Sequence, residues 1–262
     1  YSTPDKKYDK LSISTMSANK KLIVANWKMN LNIHDASIFV HQLAKSIAVH
    51  RDVEVVLAPT MLALQSISLQ VDRRQFKLAA QNFYWRDFGA FTGEVSAAQL
   101  RGLVDYAIVG HSERRHVFHE HAKDIRSKVQ AALRCDIKPI LCIGETAHER
   151  SLGETNEIIH DQLISGLANV TSEEFHNVVI AYEPVWAIGT GNNATPKDVE
   201  RAMRTIRRQI EHLYGKTAAE NVRILYGGSV KSDSAATYLA TDGVDGLLVG
   251  GASLNQHEFT SI

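Results

Sequence analysis

Val178-Val179-Ile180-Ala181-Tyr182-Glu183-Pro184-Val185-Trp186-Ala187-Ile188-Gly189-Thr190-Gly191 passes from an apolar run through a carboxylate into an apolar loop that ends in glycines. Val178-Val179-Ile180 is short and continuous, as expected of a strand buried on both faces. Pro184 pushes Glu183 toward extended or turning backbone and stops the strand there. Val185-Trp186-Ala187-Ile188 is too apolar for a loop left in water, whereas a lid closing over a ligand would bury it. Beyond Asn192-Asn193-Ala194, Thr195-Pro196 supplies an N-cap and a first-turn proline. Val199, Met203, Ile206, Ile210 and Leu213 then recur at helical spacing. Strand, loop and helix make one βα unit, with a charged group at the carboxyl end of the strand.

The same unit recurs outward in both directions. Strands are predicted at 22–26, 53–58, 77–81, 106–110, 138–144, 178–183, 222–226 and 246–250. Each is apolar throughout, as in a parallel sheet covered on both faces. Between them Ala36, Phe39, Val40, Leu43 and Ile47, and again Ile125, Val129 and Leu133, keep helical spacing. The last helix, from about Leu254, is short. Eight units without a linker predict an α/β fold with one domain, a (β/α)8 barrel over residues 21–262. A doubly wound open sheet would call for fewer strands or a glycine-rich turn after the first. The first strand instead runs into Asn26-Trp27-Lys28.

Residues 1–20 are rich in Lys, Ser, Asp and Tyr, with no apolar signal region. They are expected to be an N-terminal extension, native or added, outside the fold, with Met16 a candidate start. Lys+Arg and Asp+Glu both total 29, which argues against a dedicated nucleic-acid or anionic-membrane surface. No apolar run approaches the roughly 18 residues of a membrane span. Cys135 and Cys142 lie close together without a C-x-x-C pattern and read as reduced thiols. The sequons at Asn169 and Asn193 read as accidental, the second because a glycan there would obstruct the lid. A cytoplasmic protein is expected.

In a parallel barrel the carboxyl ends of all strands share one mouth, so chemistry is sought there. The first strand ends in Asn26-Trp27-Lys28, where Lys28 would place a fixed positive charge. The fourth ends in Gly110-His111-Ser112-Glu113; a helix starting at Ser112 would lower the pKa of His111 and keep it neutral. Glu113 either braces a cation or covers a helix turn. Gly227-Gly228-Ser229 and Gly250-Gly251 follow the seventh and eighth strands, where backbone N–H groups can approach a phosphate closely. Taken singly, each has an ordinary structural explanation: a surface lysine, a core histidine, tight turns. His116, His119 and His121 lack the spacing of a zinc helix, so no metal is expected.

Together these segments closely resemble the triosephosphate isomerase family. The resemblance rests on Asn26-Trp27-Lys28-Met29-Asn30, Gly89-Ala90-Phe91-Thr92-Gly93-Glu94, Gly110 to His116, Cys142-Ile143-Gly144-Glu145, Ala181 to Gly191, Tyr226 to Val230, and Val249 to Leu254. It implies interconversion of dihydroxyacetone phosphate and D-glyceraldehyde 3-phosphate through an enediolate, without a cofactor. By the same resemblance Glu183 is the base, His111 the neutral electrophile and Lys28 the positive charge. Asn26 positions the substrate, Glu113 supports the site, and Gly189, Ser229, Gly250 and Gly251 hold the phosphate. It further implies a homodimer in which the 82–94 loop, with Phe83, Tyr84, Trp85, Phe88 and Phe91, inserts near residues 26–29 of a second subunit.

Two departures stand out. Ala25 occupies a position where glycine is common, and Asn192-Asn193-Ala194 replaces the usual far hinge of the lid. Another phosphosugar barrel enzyme would share the glycine pairs but not Asn26, Lys28, His111 and Glu183 together. An inactive homologue acting as a scaffold would be expected to have lost at least one of the catalytic set.

Overall fold

The computed structural model describes residues 20–189 and 192–262. The predicted extension therefore falls on positions outside the described residues, apart from Lys20, and so do Thr190 and Gly191 of the lid. Among the described residues eight parallel strands close into a barrel in sequence order. They are β1 (Lys21–Asn26), β2 (Val53–Ala58), β3 (Phe76–Ala80), β4 (Tyr106–Val109), β5 (Lys138–Ile143), β6 (Val179–Tyr182), β7 (Arg223–Tyr226) and β8 (Gly246–Val249). Closure is made by β1 against β8, with Val24 opposite Leu248. The (β/α)8 expectation is correct. Several predicted strands run a residue too long, because Gln81, Gly110, Gly144, Glu183 and Gly250 already belong to the loops of the mouth.

Two apolar layers explain why the strands are continuous in apolar character. Leu22, Val24, Val56, Ile108, Ile140, Cys142, Ala181 and Leu225 belong to one buried cluster, which fills the barrel. Ile23, Ala25, Val109, Leu141, Ile143 and Ile224 alternate with them and pack outward under the helices. The helix Pro196–Tyr214 begins as predicted: Thr195 accepts from the Asp198 N–H, and Asp198 caps back. Its buried stripe is Val199, Ala202, Met203, Ile206 and Ile210. Fully burying one such side chain contributes roughly 1.5–3 kcal/mol. Leu213, expected in that stripe, is 41% exposed; in the last turn Tyr214 takes the inward place and stacks on Phe175 with ring centroids 4.1 Å apart.

The aromatic residues of the 82–94 loop are not uniformly exposed: Phe83 is buried in the core, and Tyr84 packs on both Trp85 and Phe91 with ring centroids 4.1 and 4.5 Å apart. Phe88 alone among these five is almost wholly exposed, at 89%, and Met29 after β1 reaches 93%.

Candidate active site

Glu183 follows β6 directly, and its N–H continues the ladder by donating to Ile143 O of β5 at 2.7 Å. That bond fixes the backbone, and a buried site only 2% exposed fixes the side chain. Gly144 lies against it so closely that a Cβ there would sit 1.7 Å from Glu183 O. The carboxylate accepts from Ser112 N–H at 3.0 Å and from Ser112 Oγ at 3.1 Å, and lies 3.0 Å from His111 Nε2. Burial alone would raise its pKa. The His111 contact and the Ser112 donors outweigh burial and hold it below the ordinary carboxylate value.

His111 is the N-cap of the helix Ser112–His116, and its Nδ1 accepts the Glu113 N–H at 3.2 Å. With Nδ1 an acceptor, the ring proton of the neutral form sits on Nε2 and points at Glu183. The pKa expectation is corrected here. Burial lowers the pKa of this imidazole, but the Glu183 carboxylate at Nε2, helped by Glu113, raises it further than burial and the Lys28 charge depress it. Removing the carboxylate from Nε2 removes the largest cause of that rise.

Lys28 reaches the same space from β1. Its backbone is left-handed, φ 53°, which is uncommon for a residue with a side chain and costs of the order of 1–3 kcal/mol. Three contacts hold it there. Its N–H donates to Asn26 Oδ1 at 3.1 Å, Gln81 Nε2 donates to its carbonyl at 2.9 Å, and its Nζ pairs with Glu113 Oε1 at 2.6 Å. Both roles open to Glu113 are seen, since it pairs with Lys28 and stands in the first turn of the helix Ser112–His116.

Asn26, Lys28, His111 and Glu183 open into a single cavity of about 580 Å³, shared with Gly189, Ser229, Gly250 and Gly251. Every predicted site residue therefore lines that cavity except Glu113, which reaches it through Lys28. The glycine side is a wall of main chain. Gly250 lies beneath the Lys28 side chain, and the 3-10 turn Gly251–Leu254 is pinned by Ser253 Oγ, which donates to Gly250 O at 2.6 Å. Glu258, which also lines the cavity, accepts the Ser232 N–H of the helix Ser232–Leu239 at 2.7 Å. Ser229 Oγ donates to Ala187 O of the lid at 2.9 Å.

The lid is anchored at both ends. Trp186 Nε1 donates to Glu145 Oε1 at 3.0 Å, and the guanidinium of Arg150 lies 4.0 Å from the Trp186 ring centre. Glu145 is fully buried and also accepts from the Tyr182 hydroxyl at 3.1 Å. At the far hinge Ala194 is buried, and its carbonyl accepts from the Tyr238 hydroxyl at 2.9 Å.

The sequence matches the family description Triosephosphate isomerase over residues 21–262. The triosephosphate isomerase of Streptococcus mutans is 43% identical over 246 residues, covering 94% of this chain and 98% of its own length. That of Caldanaerobacter subterraneus is 42% identical over 244 residues, covering 93% and 98%. That of Carboxydothermus hydrogenoformans is 43% identical over 244 residues, covering 93% and 97%. The chain belongs to the triosephosphate isomerase family.

Membership makes it an intramolecular aldose–ketose isomerase. Around the predicted residues, this triosephosphate isomerase family member uses several that sequence reasoning passed over. Ser112 was read only as a helix start, yet both its N–H and its hydroxyl hold Glu183. Glu145 stands just after β5, as Glu183 stands just after β6, so the same strand-end signal could have found it. Gln81 after β3 could have been found likewise. Arg115 carried no signal: it donates to Gly110 O at 2.7 Å and Cys142 O at 2.8 Å, tying the ends of β4 and β5 together. His116, His119 and His121 are exposed, and among the described residues no group of three ligating side chains could hold a metal. No described helix is long and apolar enough to cross a membrane.

Proposed function

We propose that the protein interconverts dihydroxyacetone phosphate and D-glyceraldehyde 3-phosphate by moving one proton on and off Glu183. The observation that carries this is a buried carboxylate, an imidazole N–H and a lysine lining one cavity with a main-chain wall. The phosphate would lie against Gly189, Ser229, Gly250 and Gly251, whose N–H groups and small side chains allow close approach. Asn26 would position the substrate beside Lys28.

Glu183 is held by Ser112 and His111. A triose placed between the carboxylate and the imidazole would take over the His111 N–H through its carbonyl oxygen. Glu183, losing that partner, would become a stronger base just as a carbon-bound proton comes within reach. It would remove the proton from C1 of the ketose, leaving an enediolate whose oxygens face His111 Nε2–H and Lys28 Nζ. The same carboxyl would return the proton to C2 while His111 gives its Nε2 proton to O2 and takes the hydroxyl proton from O1, so the step balances without a redox partner. The lid 184–193 would keep water from the intermediate until that return.

A homodimer is part of the proposal, with the 82–94 loop as the contact. Its support is the exposure of Phe88 and Met29, apolar side chains that a monomer leaves in water. The proposal extends to a role in glycolysis and gluconeogenesis and to a cytoplasmic location. A coupled assay on glyceraldehyde 3-phosphate, wild type against Glu183→Gln, tests the assignment. Rapid turnover that falls about a thousandfold or more in the variant is expected. Equal and feeble rates would point to the scaffold alternative.

A further inference from the structure

At the amino ends of β2 and β3, opposite the mouth, the chain forms a cleft of about 420 Å³. Six basic side chains line it: Lys20, His50, Arg51, Arg73, Arg74 and Lys77. Its acidic lining is Glu54 alone, and that carboxylate is already engaged. It accepts from the Tyr106 hydroxyl of the barrel interior, and Arg223 Nη1 lies 3.6 Å away. Arg73 is spent on Leu103 O and Asp105, and Arg74 on Asp72. The side chains of Lys20, Arg51 and Lys77 have no hydrogen bond or ion pair among the described residues, so three positive charges line one small space. In a chain of zero net charge, such a local surplus is a matter of placement rather than composition.

The cleft is also braced. Gln75 Nε2 donates to Ala44 O at 2.9 Å and to Ile47 O, linking the wall before β3 to the end of the helix Ile33–Ser46. Arg73 fixes the other side through Leu103 O at 3.0 Å and Asp105 Oδ2 at 2.9 Å. Volume, one-signed charge and rigid walls suit a compact ligand rather than a macromolecular surface. Its apolar lining is aliphatic, from Ala48, Val49, Val53 and Val55, and no Phe, Tyr or Trp offers a face on which a large ring system could stack.

We propose that this cleft is a second anion site, for a small, multiply charged phosphate compound. Lys20, Arg51 and Lys77 supply the charge and the paired Arg73 and Arg74 form the rim. The ligand bridges the amino ends of β2 and β3 and makes no contact with the mouth.

Isothermal titration of the full chain with inorganic tripolyphosphate tests this, with glycerol 3-phosphate at saturating concentration to mask the mouth. Wild type is expected to bind with a stoichiometry of one. Arg51→Gln/Lys77→Gln should bind roughly tenfold or more weakly, with isomerase turnover unchanged. Lys77→Gln alone should weaken binding in the same direction, which keeps the test open if the pair disturbs folding. Arg74→Gln should titrate like wild type, since Asp72 already neutralises that arginine. Absence of binding to the masked wild type, or unaltered binding to Arg51→Gln/Lys77→Gln, overturns the proposal. Equal weakening by Arg74→Gln also overturns it, because a diffuse surface field would then account for the binding.

Discussion

The Ser112 main-chain N–H points at Glu183 Oε2 from 3.0 Å, across the gap between the ends of β4 and β6. A first-turn N–H of a helix, normally without a partner, is thereby satisfied by the carboxylate expected to act as base. Because the hydroxyl of the same residue holds the other oxygen at 3.1 Å, the two contributions can be separated. Ser112→Ala removes only the hydroxyl. One bond to the charged form is lost, so the pKa of Glu183 rises and the acid limb of kcat/KM moves to higher pH. A pH profile checks this; superimposable acid limbs would show that the hydroxyl does not act on the base.

Stability of the protein should depend on the Glu183–His111 pair in a signed way. The carboxyl of Glu183 is held below its ordinary 4.5, so its contribution is complete above pH 4.5 and is lost as pH falls through the lowered value. The imidazole of His111 is held above 6.5, so its contribution is complete below pH 6.5 and is lost as pH rises through the raised value. Urea midpoints of wild type and a Glu183→Gln/His111→Gln variant should differ most between those values. A difference that stays flat from about pH 4 to 8 would mean that the pair contributes nothing through linkage.

Trp186→Phe keeps the apolar bulk of the lid and deletes the donor to Glu145. A fully buried carboxylate then loses a partner at 3.0 Å, which should destabilise the protein by about 1–3 kcal/mol. Equilibrium denaturation measures it. Unchanged midpoints would assign the anchoring to Arg150 and Tyr182 instead.

Gly144→Ala should be far more damaging than its single methyl suggests. The new Cβ would lie 1.7 Å from Glu183 O, and the backbone φ of 158° at Gly144 leaves no relaxed alternative. Soluble yield should fall steeply, and any folded fraction should have lost most of its turnover through displacement of Glu183. Wild-type turnover in the variant would show that the ends of β5 and β6 can part without harm.

Much of the architecture was legible because barrel strands are apolar on both faces and need no partner to be recognised. Strand direction then placed Lys28, His111 and Glu183 at one mouth without knowledge of any contact. Contacts across strands were not legible. That Ser112 holds Glu183 depends on how far β4 and β6 extend relative to each other, a register that neither segment encodes alone. Gly144 is a similar case, since the atom that excludes a side chain comes from Glu183, on another strand. The sign of the His111 shift failed for the same reason: the helix end is written in the local sequence, and the carboxylate that outweighs it is not. In the 82–94 loop, composition told how many aromatic residues were present and not which of them would bury one another.

The contact between His111 and Glu183 also bears on what the site will accept. Under the proposed reaction, His111 and Glu183 satisfy each other until a molecule separates them. A ligand that reached only the glycine wall would leave the pair joined and would meet an unreactive pocket. Discrimination would then operate before any bond is broken, because a phosphate without a carbonyl at the right distance would not arm the site.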